Sequence, residues 1–286
     1  MALIEKPKHW SDSYWNHISR NIGPITFVEQ DKIKNSKVAI LGTGGLGGPL
    51  AEHMVRAGCE NMIICDNERF DESNLNRQIC TRNDLGEFKI NVLERHLKSI
   101  NPNVKIKKYL EINPHNVNGI IKDVECVALT LDDPITSILI ARACKRNDVP
   151  LLETWGIPYT WAWWFIKDNI SYEDCYDLPT TMVSDENLVN MNASELNYKN
   201  KLLEKVFQFP GMKETYNREF ESTNFMLNGQ ITLRSFSPFI RMSAAYLCVE
   251  MIFAGILEIK QKVLAPKIIG YDYLRNQPIN FKIKTT

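Results

Sequence analysis

From "KVAIL" onward, short apolar runs of strand length alternate with longer stretches in which apolar residues recur every third or fourth position. "KVAIL", "NMIICD", "NVKIKKY", "VECVALTL" and "VPLLET" read as strands. Between them, "PLAEHMVRAG" predicts a helix with Pro49 in its first turn and Gly58 at its end. "EFKINVLERHLKSINP" predicts a second, with Ile90, Leu93, Leu97 and Ile100 at helical spacing. A shorter helical piece near "NPHNVNGIIKD" and a helix over "PITSILIARACKRND" complete the alternation. This order predicts an α/β fold, a Rossmann-like and mostly parallel sheet with helices on both faces. It spans residues 36–170 once "TWAWWFIKD" is added as a further strand.

The flanks follow other patterns. Residues 1–35 are polar and partly helical, an N-terminal arm. Residues 171–228 are polar and rich in Asn and Glu, with a helical stretch near "ELNYKNKLLEKVFQF"; so long a connection predicts an insertion or crossover segment over a site. Residues 229–286 complete the same domain: "QITLRSF" enters as a strand, a long buried helix follows, and "KIIGYDYLRNQPINFKIK" ends the chain as two strands around a turn.

Composition narrows the classes. Lys plus Arg and Asp plus Glu are each 34, so no global field draws the chain to nucleic acid or an anionic membrane. The start has no signal-peptide pattern, and the longest apolar run, "AAYLCVEMIFAGIL", is interrupted by Glu250 and falls short of the roughly 20 residues that span a bilayer. A cytoplasmic location is expected. Seven scattered cysteines, without any C-x-x-C pair, predict reduced thiols rather than disulfides or a structural zinc site.

The chemistry gathers after the first strand. Gly42, Gly44 and Gly47 form G-x-G-x-x-G at a strand-to-helix turn, where bare backbone lets a phosphate approach. Asp66 ends the next strand, where an acid can bind ribose hydroxyls. These features favour a nucleotide without distinguishing NAD from ATP. The stretch "DNERFDESNLNRQ" goes further: Asn74, Arg77 and Gln78 follow the acid, Lys89 opens the next helix, and Asp132 stands past "VALTL". All lie at the carboxyl ends of strands and can converge on one ligand. A polyphosphate uses them, Arg77 and Lys89 neutralising its oxygens and Asp132 holding a divalent cation. Hydride transfer needs none of them. Asp133 is either an alternative metal ligand or the cap of the helix that begins at Pro134; Gln78 is either a ligand contact or structural.

In its ordered set of motifs, "SRNIG", "GTGGLGG", the acid with "SNLNRQ", "LGEFK" and "LDDPITS", the chain resembles the ThiF/MoeB/HesA group of ubiquitin-activating-enzyme-like adenylyltransferases. The resemblance continues through "SFSPFIRMSAAYLCVEMI" and "YDYLRNQPINF"; residues 171–228 have no clear counterpart. It implies that a carboxylate attacks the α-phosphorus of MgATP, giving an acyl adenylate and pyrophosphate. By position it implies Gly42, Gly44 and Gly45 at the phosphates, Asp66 at the ribose, Asn74, Arg77 and Lys89 at the triphosphate, and Asp132 on magnesium. Arg20, in "SRNIG", matches an arginine that reaches the partner subunit's site, which implies a homodimer. Ser137 stands where relatives often carry Arg. Cys175 stands near the first zinc pair of many relatives, but both pairs are incomplete, so zinc is not expected and a free or buried thiol is. No cysteine is placed to accept the acyl group.

The substrate expected from the resemblance is the C-terminus of a small ubiquitin-like or sulfur-carrier protein. The alternative is the same adenylation on a ribosomal precursor peptide in natural-product biosynthesis. An NAD(P)-dependent oxidoreductase would leave Asn74, Arg77, Lys89 and Asp132 without a use. A non-catalytic scaffold subunit would have no need of them.

Overall fold

The computed structural model describes residues 5–228, 230–231 and 234–285. The main sheet contains β1 (Lys37–Leu41), β2 (Asn61–Cys65), β3 (Lys105–Tyr109), β4 (Val127–Leu129), β5 (Leu151–Glu153) and β7 (Trp163–Phe165), in the order β3-β2-β1-β4-β5-β7. The first five are mutually parallel, and β7 joins β5 antiparallel. The strand order therefore reverses between β1 and β4. At that switch point the connections leave to opposite sides and open a crevice beyond the carboxyl ends.

Each face of the sheet has its own core. Ala39, Leu41 and Ile63 face α5 (Val117–Ile121) and α6 (Pro134–Asn147), whereas Val38, Ile40, Met62 and Ile64 face α3 (Gly47–Arg56), α4 (Lys89–Ile100) and α12 (Ser237–Glu250). Burial on both sides explains why Val38–Leu41 and Met62–Cys65 are continuous apolar runs instead of alternating. The N-terminal arm, α1 (Asp12–Ile18) and α2 (Phe27–Asn35), packs around Trp10, Tyr14 and Ile18. It is tied to the end of α3: Tyr14 donates to the Gly58 carbonyl at 3.1 Å, and Asn21 and Gln30 donate to that of Ala57 at 3.2 and 2.9 Å.

The chain after β5 departs from the expectations. "TWAWWF" is two strands rather than one. β6 (Tyr159–Trp161) pairs with β8 (Lys267–Asp272), which pairs with β9 (Gln277–Lys282), and these form a separate antiparallel sheet. β7 pairs with β5 instead. Side chains keep alternating across the break, Trp161, Trp163 and Phe165 facing one core and Ala162 and Trp164 the other; only the hydrogen-bonding partner changes.

Residues 171–228 carry short helices, α7 (Tyr172–Cys175), α8 (Asp185–Leu188), α9 (Tyr198–Val206), α10 (Met212–Tyr216) and α11 (Phe220–Leu227). Despite their polar composition they contribute Tyr172, Tyr176, Leu188, Leu196, Tyr198, Val206, Phe209 and Met212 to the core above α6. The Arg142 guanidinium fastens them to α6, donating to Glu173 at 2.7 and 3.1 Å, to Asp185 at 2.9 Å and to the Thr180 and Val183 carbonyls at 2.6 and 2.7 Å.

The strand expected within "QITLRSF" includes residues 232 and 233, which lie outside the described residues; described neighbours 230, 231 and 234–236 form no strand. α12 runs on as a π-helical turn, Met251–Ile256. The combined helix of 20 residues is longer than the sequence suggested and is long and apolar enough to cross a membrane by length and composition. Here it is a core helix, 61% buried. Its one interior acid, Glu250, accepts from the Trp164 indole at 3.0 Å and pairs with Lys260.

Glu153, the last residue of β5, is also buried. It accepts from Trp163 Nε1 at 2.9 Å, Tyr176 at 2.7 Å and Tyr172 at 3.2 Å, and Tyr172 in turn meets the Tyr198 hydroxyl at 2.7 Å. Burial pushes the Glu153 carboxyl up to about 7, against the hydrogen bonds that favour its charge. A raised acid binds its proton more tightly folded than unfolded. Its contribution to stability is therefore complete below about pH 4.5 and is lost as pH rises through about 7, a fall of roughly 3 kcal/mol. Urea unfolding of wild type between those limits should show this decline, and Glu153→Gln should flatten it. Profiles of equal slope would show that Glu153 titrates normally.

Candidate nucleotide-binding site

The glycine loop leaves β1 at Gly42, whose φ of +101° lies where side-chain-bearing residues are strained. A Cβ there would sit 2.5 Å from the Thr130 carbonyl carbon and oxygen, so only bare backbone passes the end of β4. Thr130 closes the contact, its Oγ1 donating to the Gly42 and Leu41 carbonyls at 2.7 and 3.0 Å. Gly47 is as constrained, because a Cβ would lie 1.7 Å from the Gly42 oxygen. Gly44 and Gly45 face the polar stretch instead. A Cβ on Gly45 would stand 3.4 Å from the Arg77 side chain, and one on Gly44 3.8 Å from the Gln78 amide.

Asp66 locks the loop to β2. Its Oδ2 accepts from the Thr43 N–H at 2.8 Å and Thr43 Oγ1 at 3.1 Å, and its Oδ1 from the Glu68 N–H at 2.9 Å. Of the about four acceptor positions on a carboxylate, these bonds leave one for a ligand hydroxyl.

The segment "DESNLNRQ" begins with a 3-10 turn, Glu72–Asn74, capped by Asp71, which accepts from the Ser73 N–H at 2.7 Å. Asn74 is buried and turned back on this segment, its Oδ1 accepting from the Asp71 N–H at 3.4 Å. Arg77 is half-buried and, among the described residues, donates only to neutral acceptors, the Ser73 carbonyl at 3.0 Å and Asn76 Oδ1 at 2.8 Å, so no described acid matches its charge. Gln78 is 6% exposed, and its Oε1 is buried with no hydrogen-bond partner among the described residues. A buried amide oxygen without a partner costs about 1–3 kcal/mol. Beside the glycine loop it fits a site completed by a ligand or ordered water.

Lys89 opens α4 with its side chain 5% exposed and its ammonium paired with Glu68. Glu68 lies inside the "DNERF" stretch and was not singled out from sequence, although an acid there was the available signal. Asp132 is solvent-accessible, yet protein surrounds its carboxyl, as in an open crevice. That crowding, then the charge of Glu68 and more weakly that of Asp66, raises its pKa, while Lys89 opposes the rise. These four groups therefore share one field. Asp133 has another role: its Oδ2 accepts from the Thr136 N–H at 2.8 Å as the N-cap of α6, worth about 1 kcal/mol. Ser137 donates to the Asp133 carbonyl at 2.7 Å and is buried in the same turn.

Gly42 and Gly47 thus meet each other, Gly44 lies beside Gln78 and Gly45 beside Arg77, Asp66 holds the loop through Thr43, and Lys89 and Asp132 face the same crevice. Arg20 is elsewhere. It is exposed in the turn Ser19–Asn21, with no hydrogen bond or ion pair among the described residues. The arm that carries it is bound to the far end of α3, about 15 Å along the helix from the loop. Cys175 is a buried free thiol that burial holds well above its usual range. Among the described residues, no three His, Cys, Asp or Glu side chains gather into a metal cage.

Comparison with known proteins adds a lineage to this geometry. The chain is 35% identical over 117 residues to the adenylyltransferase and sulfurtransferase UBA4 of Candida albicans, covering 40% of this chain and 27% of that protein. It is 30% identical over 125 residues to the sulfur carrier protein adenylyltransferase of Thermus thermophilus, covering 43% of this chain and 46% of that one. The matched segments thus span less than half of these relatives. In fold it is similar to E. coli MccB solved with ATP, at a TM-score of 0.65 and 19% identity over 97% of this chain and 73% of the other. It is equally similar to the microcin C7 biosynthetic enzyme MccB in complex with N-formylated MccA, at 0.65 and 20% over 96% and 75%. The family model for ThiF matches residues 18–286, nearly the whole chain, and the protein belongs to the ThiF family.

Proposed function

We propose that the protein uses MgATP to adenylate a carboxylate on a protein or peptide, releasing pyrophosphate and leaving an acyl adenylate. The observation that carries this reading is the convergence of an unmatched Arg77, the Lys89–Glu68 pair and Asp132 on a glycine loop held open by Gly42 and Gly47. A triphosphate and a carboxylate are both anions, so bringing them together requires preorganised cations. A nicotinamide cofactor would leave this group idle. The nucleophile is ionised at neutral pH, and no side chain need act as its base.

In this reading the backbone of Gly42, Gly44 and Gly45 lies along the phosphates and the remaining acceptor position of Asp66 takes a ribose hydroxyl. Arg77 and Lys89 neutralise the triphosphate, Lys89 exchanging Glu68 for phosphate oxygen. Asn74 and Gln78 shape the wall, with Gln78 Oε1 awaiting a donor. Magnesium fits Asp132, whose charged form is disfavoured by desolvation and then by the like charge of Glu68, both of which a cation would offset. Mg²⁺ typically relies on one or two carboxylates plus phosphates, as such a site would offer. When bound, the ion neutralises charge on the phosphates. No zinc is part of this proposal.

The preferred carboxylate is the C-terminus of a small ubiquitin-like or sulfur-carrier protein, supported by the T. thermophilus relative's name. A ribosomal precursor peptide is the second reading, favoured by fold similarity to MccB with N-formylated MccA along nearly the full chain. Residues 171–228 would cover the channel that receives either tail. A homodimer is proposed because Arg20 cannot reach the site of its own chain, whereas a second chain could present it. Seven unpaired cysteines suit a cytoplasmic setting.

ATP–pyrophosphate exchange with a carrier ending in Gly-Gly, or with a ribosomal peptide, tests the reading. Asp132→Ala should reduce exchange at least a hundredfold with circular dichroism unchanged; near-normal exchange would contradict the metal role. Arg20→Ala should also lose exchange, and mixing it with Asp132→Ala should restore part of it. Absence of recovery despite confirmed subunit exchange would rule out a shared site.

A further inference from the structure

At the end of the main sheet away from the glycine loop lies a groove of about 380 Å³ that the adenylation reading does not use. Its floor is the stretch of chain that runs beside β7 into β8. The Trp164 N–H donates to the Val263 carbonyl at 2.8 Å, the Ala265 N–H to the Trp164 carbonyl at 3.0 Å, and the Asn169 amide to the Ala265 carbonyl at 2.7 Å. Val263, Leu264 and Ile269 make this floor apolar, and Ile269 is 39% exposed. β7 is antiparallel to β5, and Phe165 pairs with Leu151, the first residue of β5. The groove therefore sits away from the carboxyl ends of the strands, where the nucleotide crevice opens.

Lys262, Lys267 and Lys282 line the groove, and no acid does. Lys267 of β8 and Lys282 of β9 are direct cross-strand partners, both exposed on the outer face. Like charges so placed destabilise a sheet. Among the described residues none of the three ammonium groups has a hydrogen bond or an ion pair; that of Lys262 rests over the Trp164 ring, 5.5 Å from its centroid. The protein thus keeps unneutralised positive charge around an apolar floor at the expense of its own stability.

We propose that this groove binds an acidic peptide segment of a partner protein, one in which apolar side chains are flanked by Asp or Glu. The apolar side chains fill the floor, and their acidic neighbours meet the three ammonium groups. Charge selects this occupant. A second copy related by two-fold symmetry would present the same lysines. A nucleic acid would leave the apolar floor unused and find only three cations here on a chain with no net charge. A planar bilayer does not enter a groove. Each exposed ion pair is worth at most about fivefold in affinity, so the complex is reversible and weakened by salt.

Fluorescence anisotropy on the whole protein tests this with capped six-residue probes that carry an uncharged dye. Glu-Asp-Leu-Phe-Asp-Glu should bind saturably and at least about tenfold more tightly than Gln-Asn-Leu-Phe-Asn-Gln, which lacks the charge, or Glu-Asp-Ser-Ser-Asp-Glu, which lacks the apolar pair. Lys267→Glu should weaken binding of the acidic probe about tenfold. It should also raise the urea midpoint, because it turns a like-charged cross-strand pair into an opposite one. Lys267→Glu combined with Lys282→Glu should shift the preference to Lys-Lys-Leu-Phe-Lys-Lys. An acidic probe that binds no better than its neutral counterpart would overturn the proposal, as would wild-type affinity in Lys267→Glu, or capture of phosphatidylserine vesicles without any binding of peptide.

Discussion

The architecture of the site depends on one contact between main chains. The ends of β1 and β4 approach so closely at Gly42 and Thr130 that a single Cβ would separate them. With the strands held there, Gly47 can start α3 directly against the loop, and Asp66 can reach across from β2 to grip Thr43. The loop's amides are thereby fixed before a ligand arrives. Electrostatic stabilisation is strongest where donors need not reorganise, so the packing of three strand ends is also the basis of the proposed chemistry.

Charge around that loop is arranged in opposing groups. Lys89 is buried and held by Glu68, while Arg77 has only neutral acceptors among the described residues. Asp66, Glu68 and Asp132 together make the crevice rich in carboxylates, and the Asp132 carboxyl is raised by the protein that crowds it and then by the charge of Glu68. A ligand that brings both phosphates and a divalent cation satisfies both groups at once. A dinucleotide without a cation would satisfy one and leave the other repelled.

Much of this was legible in the sequence, for identifiable reasons. β1, α3, β2, α4 and α6 are bounded by strong local signals, such as Gly58 in its left-handed conformation and Asp133 before Pro134. Those signals do not depend on distant contacts. The "WAWWF" segment was misjudged because side-chain alternation runs unbroken from Trp161 to Phe165 while the pairing partner switches at Ala162. Periodicity reports which face a residue occupies but not which strand lies beside it. Residues 171–228 read as a polar insertion, since their core residues are spread over short helices whose irregular spacing matches no period. Glu153 was hidden in an apolar strand, where its value comes from three donors far along the chain. Arg20 was placed by its motif alone, and in a single chain it stands exposed in the turn Ser19–Asn21, apart from the loop.

The central claim is that this loop and its charges hold a triphosphate. Calorimetric titration of the wild-type protein with MgATP, and separately with NAD and NADP, tests it most directly. Saturable binding of MgATP and none of either dinucleotide is expected. Binding of NAD or NADP in the absence of MgATP binding would contradict it and turn the chemistry toward oxidation and reduction.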